Sequence, residues 1–189
     1  MKILLAHKFF YRRGGAEIYF LETGKLLEKK GHDVAYFSIE HPQNLPSPYS
    51  QYFARPPAYQ NANIVKRISS ISRVIYSLET KRRFQRLLRD FQPDLVHAFH
   101  INVHLSPSIL AAAGEAGIPV VMSCNDYKHI CPNYKLFHHG RICEECRGGK
   151  FYRALFNLCC KDSLIFSAAS LLESYIHRLM KIHSKYVDT

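Results

Sequence analysis

The chain has 189 residues, 47% of them hydrophobic and 22% charged, with a formal net charge of +11. This composition fits one globular domain with a buried core, and the lack of a low-complexity tract or fixed-period repeat excludes long disorder and solenoid folds. The positive charge asks for an anionic partner (phosphate, nucleic acid or anionic lipid) without choosing among them.

Taken in chain order, the apolar run at residues 2–7 reads as a first, buried strand. It is too short for a signal peptide or a membrane span, so the chain reads as cytoplasmic. A basic-aromatic loop, Phe9-Phe10-Tyr11-Arg12-Arg13, leads to Gly14-Gly15 and a helix over 15–30, with Ile18, Leu21, Leu26 and Leu27 apolar and Gly31 as its stop. Residues 34–39 form the second strand, and the proline-rich stretch 42–57 is a loop. From Ile64 the apolar positions Ile64, Ile68, Ile71, Ile75 and Leu78 step by four and three, which predicts one helix continuing to Phe91. A third strand at 93–97, a helix over 105–116 and a fourth strand at 120–123 follow, then a cysteine-rich region and a last helix. Apolar strands alternating with helices predict a Rossmann-like parallel sheet flanked by helices on both faces.

In such sheets ligands sit at the carboxyl ends of the strands. That rule gathers His7 and the loop to Gly15, the segment from His97 to His104, and Asn125-Asp126-Tyr127. A glycine pair at a helix N-terminus offers bare backbone N–H groups and a positive dipole end, suited to a phosphate. The same pair also serves as a plain tight turn, and no G-x-G-x-x-G is present.

The opening with Gly14-Gly15-Ala16-Glu17, the run Pro93-Asp94-Leu95-Val96-His97-Ala98-Phe99-His100, and Pro119-Val120-Val121 leading to Asn125-Asp126-Tyr127 resemble the N-terminal half of family 4 glycosyltransferases of the GT-B fold. The resemblance covers almost the whole chain and rests on the order and spacing of these pieces. It implies one GT-B N-terminal domain over 1–189, carrying the acceptor site, with the C-terminal donor-binding domain absent and supplied in cis or in trans. It also implies transfer of a sugar from a nucleotide-sugar to a glycan or lipid-linked acceptor hydroxyl, usually without a catalytic metal. Gly14, Gly15 and Glu17 match the donor-phosphate loop, Asn125 and Asp126 the catalytic positions, and His97, His100, Tyr127 and Arg12 the acceptor side. Members commonly carry His-Asp where this chain has Asn125-Asp126, and asparagine cannot titrate. His129, one helical turn on, is either a substitute or a surface residue.

The segment 131–160 holds a second constellation: Cys131, then Cys143 and Cys146 in a C-x2-C, then adjacent Cys159 and Cys160. The spacing suits one structural zinc on Cys131, Cys143, Cys146 and Cys159, with Cys160 as the alternative fourth ligand; reduced, partly buried thiols are the other reading. Cys124 reads as core. The helix from Ile64 carries Lys66, Arg67, Arg73, Lys81, Arg82, Arg83, Arg86 and Arg89, as either a membrane-facing or a solvated face. Basic residues scattered over several elements, with no recognition motif, argue against nucleic acid.

Overall fold

The computed structural model describes residues 1–56 and 73–188. They form two compact units, Met1–Ser123 with Ile182–Thr189, and Cys124–Lys181. The sequence reads as one domain with an insertion at 131–160; the second unit starts earlier and runs into the last long helix.

The first unit is built on four parallel strands, β1 (Lys2–Ala6), β2 (Asp33–Phe37), β3 (Leu95–Ala98) and β4 (Val120–Met122), in the order β2-β1-β3-β4. Successive residues of β1 point to opposite faces. Leu4 and Ala6 join Phe37, Phe84, Leu87, Val96 and Ile109 on one side, and Ile3 and Leu5 join Phe10, Phe20, Leu21 and Phe99 on the other. Helices α1 (Gly15–Lys29), α2 (Leu78–Phe91) and α3 (Ser108–Glu115) connect the strands, as the alternating pattern predicts.

Two helices differ from the sequence reading. In α1 the buried positions are Glu17, Phe20, Leu21 and Gly24, while Ile18 and Leu26 are exposed. The inward stripe keeps helical spacing, but two of its four members are not apolar, which conceals it from a hydrophobic pattern. The predicted helix to Phe91 is interrupted before Leu78: Ser77 is extended (φ −97°, ψ 107°), and its side chain accepts from the Thr80 N–H at 3.1 Å as an N-cap. Leu78 is exposed, and Phe84, Leu87, Leu88 and Phe91 carry the burial of α2. Ile64, Ile68, Ile71, Lys66 and Arg67 lie outside the described residues. Along α2 the basic face is partly neutralised, Lys81 by Glu115 at 2.7 Å and Arg83 by Glu40 at 3.0 Å.

The second unit holds the short hairpin β5 (Phe137–His138) and β6 (Arg141–Ile142), then α4 (Arg153–Phe156) and α5 (Leu164–Leu179). Its small core is Cys146, Phe151 and Ala154 with Cys159, Leu171 and Tyr175. A buried ion pair, Lys128 Nζ to Glu173 at 2.8 Å, ties the segment after β4 to α5. The last helix, α6 (Ile182–Tyr186), returns to the first unit. Among the described residues no helix is long and apolar enough to cross a membrane.

Candidate functional site

β1 has β2 on one side and β3 on the other, so the chain order reverses between β1 and β3. Such a switch point opens a crevice at the carboxyl ends of the strands, because the connections leave in opposite directions. His7 and Lys8 leave β1 there and His100 leaves β3. The His7 and His100 rings stand 6.1 Å apart, edge to face, and Lys8 Nζ is 3.4 Å from His100 Nε2.

His7 has no exposed surface. Its ring stacks on Phe20, and Nδ1 lies against the main chain of Phe9, where it either donates to the carbonyl oxygen at 2.9 Å or accepts from the amide at 3.0 Å, according to the tautomer. The other nitrogen, Nε2, makes no hydrogen bond and faces Glu17 Oε1 at 3.9 Å. Burial pushes the ring's pKa down to about 3, so His7 is neutral near pH 7. His104, whose ring meets Phe9 edge to face, is lowered to about 4 by burial and by the charge on Lys8.

Glu17 is buried in the first turn of α1, where the helix N-terminus stabilises a carboxylate. Gly14 caps the helix without a side-chain hydrogen bond, and the first helical bond runs from the Ile18 N–H to the Gly14 carbonyl at 3.0 Å. The amides of Gly15, Ala16 and Glu17 therefore have no intrahelical acceptor. Gly15 is exposed, and a Cβ placed on it would meet nothing within 4 Å. On Gly14 a Cβ would come to 3.3 Å from the Glu17 carboxylate, which folds back beneath the turn.

The structure thus brings together His7, Glu17, Gly14 and His100. Arg12 is exposed and pairs with Glu22 at 2.6 Å, so it is the unselected Arg13, 4.7 Å over the Phe9 ring, that adds positive charge near His104. His97 is engaged by Ser123 Oγ at 2.9 Å and stacks on Phe99.

The sequence matches Glycosyltransferase Family 4 over residues 13–159. The chain belongs to that family. An uncharacterized 42.6 kDa protein in the cps region of Klebsiella pneumoniae is 26% identical over 153 residues, covering 74% of this chain and 40% of that protein. This family 4 chain thus spans 40% of the relative's length. The crystal structure of Acinetobacter baumannii MurG aligns with 64% of this chain and 33% of its own, at 16% identity and a TM-score of 0.37.

The remaining site positions of the family 4 chain lie in the second unit. Asn125 and Tyr127 are exposed, and Asp126 Oδ1 accepts the Lys128 N–H at 3.0 Å in a local turn. His129 is half-buried, and burial lowers its pKa against an opposing pull from Asp126. Cys124 is exposed where the sequence reads core, because β4 ends at Met122 and leaves it beyond the strand. Cys131, Cys143, Cys146 and Cys159 all line one cavity; Cys160 instead turns its thiol toward the Pro132 carbonyl at 3.9 Å.

Proposed function

We propose that this family 4 chain is the acceptor-side half of a transferase that moves a sugar from a nucleotide-sugar to an acceptor hydroxyl in glycan or cell-surface polysaccharide biosynthesis. One observation carries the reading. At the switch point of the parallel sheet, an uncapped helix N-terminus with open space over Gly15 shares the carboxyl ends of β1 and β3 with Lys8 and His100.

In this reading the amides of Gly15 and Ala16 donate to the diphosphate as charge builds on it during departure, an arrangement that costs no reorganisation at the moment of reaction. Lys8 and Arg13 bring positive charge to this end of the sheet, which favours a phosphate. Glu17 keeps the turn in shape from below, and His7 walls it off without adding charge. His100 faces the acceptor. The donor domain, in cis or in trans, supplies the nucleoside pocket, and no catalytic metal takes part. A lipid-linked acceptor at the anionic inner face of the membrane agrees with the charge of +11 and with exposed Leu164, Ile165 and Phe166 on α5.

The test uses this chain joined to or mixed with its donor domain and measures nucleoside diphosphate release from a panel of nucleotide-sugars. Gly15→Leu is expected to lower kcat/KM by about 100-fold, the usual worth of a preorganised donor site, with an unchanged melting curve because the added side chain points into open space. Unchanged kinetics in a folded variant would remove the phosphate role.

A further inference from the structure

All six cysteines belong to the second unit, and four of them, from three separate stretches of chain, face one cavity. Cys143 and Cys146 sit on the turn that follows the β5–β6 hairpin. The Cys143 N–H reaches back to the Leu136 carbonyl at 2.9 Å, and the Arg147 N–H closes the turn on the Glu144 carbonyl at 2.9 Å. Gly148 and Gly149 then adopt φ of 73° and 84°, a left-handed region that suits glycine. Cys131 is set by its N–H to the Tyr127 carbonyl at 2.8 Å, and Cys159 by its N–H to the Ala154 carbonyl at 3.1 Å.

We propose that Cys131, Cys143, Cys146 and Cys159 form a tetrathiolate site for one structural zinc ion. Zinc takes four thiolates tetrahedrally at about 2.3 Å, and each ligand gives up its proton on binding. Among the described residues no group of three or more His, Cys, Asp or Glu side chains stands ready to hold a metal ion, so binding requires the thiols to move inward across the cavity they line. Four protein ligands leave no position for water, which makes the ion a staple and not a catalyst. Its neighbour shows what it staples: Pro132, next to Cys131, offers a carbonyl that accepts from Lys128 Nζ at 3.2 Å and Ser170 Oγ at 3.3 Å. The metal therefore fixes the joint between the segment after β4 and α5.

The experiment is metal analysis of the full chain, purified without a histidine tag, followed by exchange with cobalt. One zinc per chain is expected, released by a thiol-blocking reagent, with intense sulfur-to-cobalt charge-transfer bands and visible bands of a tetrahedral site after exchange. Cys143→Ser and Cys159→Ser lose the ion, whereas Cys124→Ser and Cys160→Ser keep it. A folded wild-type chain that takes up neither zinc nor cobalt overturns the proposal, as does bound iron in place of zinc or loss of the ion on Cys160→Ser with retention on Cys159→Ser. The cobalt spectrum belongs to the wild-type protein, so the result stands even where a variant fails to fold. Metal content is read without turnover, and its failure is distinct from failure of the sugar-transfer reading.

Discussion

A histidine ring with no exposed surface, stacked on Phe20 and gripped by the main chain of Phe9, takes up a proton only at the cost of a buried cation. His7 titrates near 3 and His104 near 4 in the folded chain, both against 6.5 in the unfolded chain. Their folded values are depressed, so between those values and 6.5 the unfolded chain holds more protons than the native one. The stability they contribute is fully present above pH 6.5 and drains away as pH falls. From pH 7.5 to pH 5 the two together account for a loss on the order of 4 kcal/mol. Denaturant midpoints at the two pH values measure this, and His7→Gln should remove about half of the slope. An unchanged slope in that variant would mean the ring is protonated in the folded chain. Of these residues only the neighbourhood was legible beforehand: the strand-end rule gathers His7, His100 and His104, but the burial that decides the charge of His7 depends on Phe20 from a separate element. Arg12 and Arg13 show the same limit, since adjacent residues of one type are separated only by which way the loop turns.

At the scale of elements, strands were read well because parallel strands buried on both faces are apolar throughout and bounded by turn residues. Helix faces were read less well. The inward face of α1 includes Gly24, whose missing side chain is what lets Tyr36 approach: a Cβ there would lie 2.2 Å from the Tyr36 hydroxyl and 2.8 Å from two ring carbons. Two effects of opposite sign meet at this position. Alanine in a helix interior is worth about 1 kcal/mol over glycine, whereas overpacking costs about 1–3 kcal/mol. Tyr36 has little freedom to yield, held between Phe10 at 4.7 Å and Phe20 at 5.8 Å with its hydroxyl donating to Glu28. Gly24→Ala is therefore expected to lower stability despite its better propensity, and Gly24→Ala with Tyr36→Leu to recover part of the loss. A more stable single variant, seen as a higher denaturant midpoint, would show that propensity wins. The start of α2 teaches the converse lesson. Ser77 and Thr80 carry a legible N-cap signature, and a regular apolar step running through Ile75 to Leu78 hid it.

The division of the whole molecule into two units was the least legible feature, because it depends on which long-range contacts form and not on any composition change near Cys124. Its energetic consequence follows from the two cores. The first unit buries two sheet faces lined by phenylalanines and branched aliphatics. The second has three buried apolar residues at its centre and leaves Ile142, Phe156, Leu164, Ile165 and Leu179 exposed. A unit of roughly 60 residues with so small a core is marginal unless something staples it. Local stability should therefore differ between the units by more than their hydrogen bonding indicates. Amide hydrogen exchange is expected to be at least ~100-fold faster in β5, β6 and α5 than in β1 and β3, a difference of about 2.7 kcal/mol in opening free energy. With zinc on the proposed cysteine site, a strong chelator should widen that gap by speeding exchange in the second unit alone, while β1 and β3 keep their protection. Equal protection across both units, before and after chelation, would mean that the chain opens as one cooperative body and that the small core is sufficient by itself.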